Sequence, residues 1–200
     1  AGAQHGEREL RDPAAGDKLA ALAKEIQEIE RPARAALAGQ APPRPPKAYA
    51  RWTFGESLED REGKLHASAK QGYLESALLD RDLKEKTLEA WVTLENLDQK
   101  GGGAIGVQTL DGSLFDAIVF GEREARRWMA GSNFFARTQS FGGPAEADAT
   151  TRAVHVAIVY HADGTITGYR EGRPYGAPYK SAGLQAFKAG EARVVFGVRH

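Results

Sequence analysis

No cysteine occurs among the 200 residues of this chain, which excludes disulfides, thiol catalysis and thiolate metal sites together. The same absence leaves the compartment undecided on redox grounds. An excess of charge of either sign is also lacking: 27 Lys and Arg balance 27 Asp and Glu. No global field therefore steers the protein onto nucleic acid or an anionic membrane, and any charged recognition must be local. Apolar runs stay well short of the ~18 residues that a membrane span needs. No basic-then-apolar secretory stretch stands at the start. The chain opens on Ala1, not Met, from which a processed or excised start is expected. Absent too are a Gly-x-Ser-x-Gly elbow, a His-Glu-x-x-His helix, a Walker loop and a Cys-x-x-Cys-His haem attachment. The Gly101-Gly102-Gly103 run lacks the Lys-Ser/Thr of a phosphate loop and reads as a flexible turn.

What is present organises around residues 152–179. Ala153 to Tyr160 reads as a long strand, Ala162-Asp163-Gly164 as a turn, Thr165 to Glu171 as the return strand, and Gly172 as a second turn. The first strand is apolar on both faces, with Val154, Val156, Ile158 and Tyr160 on one and Ala157 and Val159 on the other, so it is expected inside a sandwich, covered on two sides. Similar strands are expected at Tyr49–Phe54, Thr87–Glu95, Ala104–Leu110, Leu114–Gly121 and from Arg193 to the C-terminus, with Asp111-Gly112 as a further hairpin turn. Along Thr87–Glu95, Leu88, Ala90, Val92 and Leu94 form the core face; Trp91 marks the other face as partly covered. Glu59 to Gly63 reads as a polar loop.

The first 39 residues differ in texture. Leu19, Leu22, Ile26 and Ile29 recur at spacings of three, four and three, the seam of a short amphipathic helix over Ala14–Ala38. Asp12 and Pro13 read as its N-cap and first position, and Pro32 is expected to end or kink it. The seam is too short for a coiled coil alone. Packing on the following domain or on a neighbour is preferred over a helical hairpin lent by a larger parent. Residues 40–47, with Pro42, Pro43, Pro45 and Pro46, form a semi-rigid linker in preference to a ligand for a proline-binding module. The expected organisation is a helical arm over 1–39, the linker at 40–47, and a β-sandwich over 48–200.

Three stretches, Thr87-Leu88-Glu89-Ala90-Trp91-Val92, His155 to Tyr160, and Gly164-Thr165 through Tyr169-Arg170-Glu171-Gly172, resemble the laminin G-like jelly roll of the concanavalin A-like lectin/glucanase superfamily. The wording of Phe120-Gly121-Glu122, Arg127 to Ser132 and Pro174-Tyr175-Gly176 resembles the branch embedded in large exported proteins of planctomycete-type bacteria, which also carry cytochrome c-like modules. The resemblance implies an all-β, two-sheet antiparallel jelly-roll sandwich after a short helix, and an exported setting: periplasm, cell surface or extracellular space. It also implies a closing strand of the type Gly-x-Ile-Asp-x-x-x-x-Tyr, which does not follow His200; a cut chain or a substitute segment before Tyr49 is expected instead.

The superfamily's glucanases carry Glu-x-Asp-x-Glu on one strand, and no such triplet occurs here. Glu89 and Glu95 share a face but lie ~20 Å apart on an extended strand, too far for either hydrolytic geometry. No enzyme activity is expected of this domain, and a glycoside hydrolase is the third reading. His155 and His161 share parity, yet six residues separate them too widely for a common metal, so His155 is expected to be a partly buried, hydrogen-bonded histidine. No cofactor is required. Calcium is the one the resemblance admits, with Asp60 and Asp116 as ligands, since Asp111 and Asp163 already have a turn role.

Sugar binding needs flat aromatic surfaces and planar hydrogen-bonding groups. Arg127, Trp128, Asn133, Phe134 and Arg137, with Tyr175 and Tyr179 from the late hairpin, form the candidate constellation, and the arginines suit an anionic glycan. The competing reading places Trp128 and Phe134 in the core and the arginines on a solvated face. The expected function is a non-catalytic carbohydrate-binding module of an exported multidomain protein, its partner a polysaccharide or glycan. The alternative is a scaffold domain that docks on other domains of its parent.

Overall fold

The structure, a computed structural model, describes residues 13–37, 47–52, 65–68 and 73–197. The chain divides into two compact units, Ala1–Arg51 and Trp52–His200. The second begins four residues later than the sequence implied.

In the first unit helix α1 spans Pro13–Leu37. Pro32, expected to end or kink it, lies inside it and does not end it. A proline inside a helix costs about 3 kcal/mol, but the strong helix formers Ala35, Ala36 and Leu37 carry the ladder onward. Leu19, Leu22, Ile26 and Ile29 are all exposed. Asp12, most of the proline stretch, Asp60 and the 59–63 loop lie outside the described residues. Residues 49–52 form no strand, which corrects the first strand expected there; Trp52 instead sets its ring edge-on against Phe196 at 5.1 Å.

The second unit is a β-sandwich. Among the described residues its strands are β1 (Leu65–Ser68), β2 (Tyr73–Leu78), β3 (Lys86–Val92), β4 (Gly102–Thr109), β5 (Phe115–Phe120), β6 (Trp128–Ser132), β7 (Val154–Tyr160), β8 (Thr165–Arg170), β9 (Arg173–Pro174), β10 (Tyr179–Lys180) and β11 (Ala192–Phe196). Six of them form an antiparallel sheet in the order β1-β2-β11-β4-β5-β6. The other sheet runs β10-β8-β7-β3, with β9 also paired to β8. β3 lies over β4 and β5, β7 over β5, and β8 over β6. The C-terminal strand β11 sits inside its sheet, paired to β2 and β4.

Alternation decides what fills the space between the sheets. Ile118, Phe120, Trp128 and Ala130 face inward from one sheet; Leu88, Val154, Val156, Ile158, Tyr160 and Ile166 come from the other, all buried. Each large apolar side chain so buried contributes roughly 1.5–3 kcal/mol. β5 and β6 are buried along their whole length, and β7 is not. Phe115, Ala117, Val119 and Met129 form a second buried cluster on the opposite face of the six-stranded sheet. On β7 the second face is only partly covered, because His155 and Val159 are half-buried there.

The Asp-Gly turns occur where expected. The β7–β8 loop closes with the Gly164 amide donating to the His161 carbonyl at 2.8 Å and Gly164 at φ 83°. Strand β6 was not legible. Gly131 falls inside it and is needed for close contact: a Cβ there would lie 2.5 Å from Val119 Cγ1 on β5.

Candidate functional site

The outer face of the five-stranded sheet carries the site. Register places Trp91 of β3 opposite His155 of β7, and the next strand continues the row with Glu171, whose amide donates to the His155 carbonyl at 2.9 Å. One step along, Glu89 lies opposite Ala157, and Ala157 opposite Tyr169. Ala157 contributes a single methyl, which leaves the strip between Glu89 and Tyr169 low.

Trp91 is 68% exposed, a large apolar area to leave in water. Its ring centroid lies 5.1 Å from that of His155, the planes tilted by 52°. His155 Nε2 and Glu89 Oε1 are 2.9 Å apart, so the imidazole is held by the indole and by the Glu89 carboxylate. On the far side Glu171 Oε1 accepts from the His155 amide at 2.9 Å and from Arg152 Nη1 at 3.2 Å. The amide first, then the guanidinium, hold the Glu171 carboxyl below its ordinary range. The turn that delivers Glu171 uses two left-handed residues, Glu171 at φ 52° and Gly172 at φ 72°. Glu89, Trp91, His155, Glu171 and Gly172 together line an open depression of about 260 Å³. It offers an exposed indole on the edge strand beside an imidazole, with Glu89 bonded to the imidazole ring and Glu171 to the His155 amide.

The residues singled out from sequence lie elsewhere, and most face inward. Trp128 is 1% exposed; its indole Nε1 donates to Glu146 Oε2 at 2.8 Å and its amide to Tyr175 Oη at 3.3 Å. Tyr175 is buried and donates to the Pro144 carbonyl at 2.6 Å, with burial pushing its hydroxyl pKa up. Tyr179 donates to the Arg137 carbonyl at 2.9 Å, and burial pushes it up to about 12. Arg137 is buried: Nε donates to Asp116 Oδ1 at 2.8 Å, Nη2 to the Phe115 carbonyl at 3.0 Å and to Asn133 Oδ1 at 2.9 Å. Arg127 donates through Nε to the Gly143 carbonyl at 2.8 Å. These groups fasten the 133–149 connection across the sandwich, and Trp128 and Tyr175 offer no ring to a ligand. Phe134 alone of the constellation presents a free ring, at 93% exposure and φ 49°.

The arginines are likewise engaged. Arg126 pairs with Asp98 at 3.0 Å, Arg127 with Glu124 at 3.5 Å, and Arg123 lies over the Phe135 ring at 5.2 Å.

Asp116 is not a metal ligand here. Its Oδ1 takes Arg137 and its Oδ2 lies 2.8 Å from Lys86 Nζ, all three side chains being buried, so two cations fill the space a calcium ion would need. Asp60 lies outside the described residues. Asp111 accepts from Thr109 Oγ1 and the Ser113 amide, which lower it to about 2, and Asp163 binds Lys180 and Thr165. Both serve their turns. Among the described residues no group of three or more His, Asp or Glu is placed to hold a metal.

His155 is the half-buried, hydrogen-bonded histidine expected, and His161 is separately engaged with Thr167 Oγ1 at 3.1 Å. The site itself was missed, although parity already put Glu89 and Trp91 on one face. What was lacking was the pairing of β3 with β7, which no single strand encodes. Compared with known protein families and with curated proteins, the sequence matches none.

Proposed function

We propose that the sandwich is a non-catalytic carbohydrate-binding module whose ligand lies on the outer face of β3, β7 and β8. The observation that carries the reading is Trp91, exposed on a strand with the hydrogen-bonding groups of His155, Glu89 and Glu171 beside its ring. The apolar face of a pyranose stacks on the indole, and Glu89, Glu171 and the imidazole meet its hydroxyls. A site built from strands holds such groups better than a loop does. The laminin G-like resemblance and its exported, multidomain setting belong to this reading, and the two-sheet antiparallel architecture is compatible with them. The test is a polysaccharide pull-down followed by calorimetry on the whole chain beside Trp91→Ala. Specific binding that disappears in the variant, with the thermal transition displaced by less than about 1 kcal/mol in stability, supports the reading. Binding that survives the substitution sinks it.

One observation favours the scaffold reading as a second. Phe134 and Phe135 are exposed at 93% and 47%, in consecutive left-handed conformations at φ 49° and 55°. Backbone strain of this kind is kept where it displays a side chain for use. In this reading the pair docks into an apolar pocket on another domain of the parent protein. Hydrogen exchange with the neighbouring domains added should protect residues 133–136; an unchanged pattern rules the docking out.

A further inference from the structure

We propose that the depression around Trp91 selects amine-bearing sugars, glucosamine oligomers in particular, over their N-acetylated and acidic counterparts; this rests on the glycan-binding reading above.

The argument is one of charge. The lining supplies two carboxylates, Glu89 and Glu171, and no cationic side chain other than the titratable His155. The nearest guanidinium, Arg152, is already shared between Glu171 at 3.2 Å and Asp148 at 2.8 Å. Asp148 also takes Arg170 at 2.9 Å, and Arg170 binds Glu146 at 2.8 Å. Glu89, Glu146, Asp148 and Glu171 thus share two guanidinium groups, Arg152 and Arg170, and one imidazole, His155. Arg173 adds no further cation at the site, because it pairs with Arg170 in the register and falls on the opposite face from Trp91. Glu89 is the carboxylate left for a ligand, 61% exposed at its side chain and engaged on one oxygen only by His155.

The exposed indole points the same way. An ammonium group is attracted to the face of an indole, and carboxylates beside that face add to the attraction. Adjacent strands stand about 4.8 Å apart. Trp91 and Glu171, two strands apart with His155 between them in the row, therefore lie about 10 Å from each other at their backbones, so that a sugar ring against the indole and over the imidazole has its amine within reach of either carboxylate. A uronic or sulfated ring would bring its anion against the same groups and be repelled. An N-acetyl group would replace the cation with a neutral amide and forfeit the charge.

The test is calorimetry of the whole chain with a glucosamine hexamer and with the N-acetylglucosamine hexamer of the same linkage, at a pH where the amines are charged. The expected result is that the amine form binds at least about fivefold more tightly, a preference that shrinks with added salt and in Glu89→Gln. An oligolysine peptide serves as the control for amines without a sugar ring and should bind more weakly than the glucosamine hexamer. Equal binding of the two hexamers, both lost in Trp91→Ala, would overturn the amine preference and leave the glycan reading intact. Oligolysine binding as tightly as the glucosamine hexamer would assign the site to amines in general and overturn the sugar class. Absence of binding to either hexamer and to a panel of neutral and acidic polysaccharides, with the protein folded, would remove the glycan reading and this inference with it.

Discussion

Asp116 shows what a single residue is asked to do in this fold. It is wholly buried on β5 between Lys86 of β3 and Arg137, and so ties the two sheets and the 133–149 connection through one carboxylate. Burial pushes the Lys86 pKa down, and the attraction of Asp116 opposes that shift, while the Tyr160 ring faces the ammonium at 4.4 Å. Removing the negative charge strands two buried cations, which is far costlier than losing an exposed pair. Asp116→Asn should therefore lose about 3–5 kcal/mol in urea unfolding. A loss under about 1 kcal/mol would mean that water reaches the cluster. Trp91 and Trp128 make the complementary point. Both are tryptophans within two residues of a charged side chain, Glu89 and Arg127, yet one is 68% and the other 1% exposed. Trp91 could be placed on the polar face of its strand by parity with Glu89, whereas Trp128 was open to two readings, a ligand-binding ring or a core residue, and the fold takes the second. Its strand, β6, is recognisable only from its register against β5.

At the scale of elements, strands with two-residue alternation were legible and short or glycine-containing ones were not. β3, β4, β5, β7, β8 and β11 fall within a few residues of expectation, and the two Asp-Gly turns fall where their chemistry demands. β1, β2 and β6 went unrecognised. The short 3₁₀ turn Asn133–Phe135 was also outside reach, since nothing in Asn-Phe-Phe calls for left-handed backbone. That turn is held from beneath: Asn133 Oδ1 accepts from Arg137 Nη2, and the Thr138 amide donates to the Phe135 carbonyl at 3.2 Å. Phe134 loses nothing by truncation in the isolated domain, being 93% exposed, while glycine fits φ 49° without the Cβ penalty. Phe134→Gly should consequently raise stability by about 1 kcal/mol, read as a shift in the urea midpoint. A fall instead would show that the ring makes a contact worth more than the strain.

At the scale of the whole molecule, Glu146 is one of the carboxylates that couple stability to acid. This carboxylate, 3% exposed, lies where the 133–149 connection meets β6 and β8. Burial alone would raise its pKa; the Arg170 guanidinium, the Trp128 indole and the Asp148 amide outweigh that and bring it from 4.5 to about 2. The folded state then holds fewer protons than the unfolded one below neutrality. Its contribution is complete above about pH 4.5 and is lost as the pH falls toward 2. The amount lost should be on the order of 2 kcal/mol. Urea unfolding measured over that range should show Glu146→Gln less stable than the parent at neutral pH and converging with it near pH 2. Parallel curves would mean that Glu146 does not contribute to the acid response.

Local pattern was enough to determine what depends on a few neighbouring residues: the all-β class, the apolar face of each long strand, the two Asp-Gly turns, the amphipathic helix, and the absence of thiol chemistry. Tertiary structure alone decided what depends on residues far apart in the chain. Trp91, His155 and Glu171 come within reach of one another because β3, β7 and the turn after β8 are paired in one register, and register is a property of two strands at once. The inward turn of Trp128, Arg137 and Tyr175 was settled in the same way, by the carboxylates Glu146 and Asp116 and the Pro144 carbonyl, which only folding brings beside them.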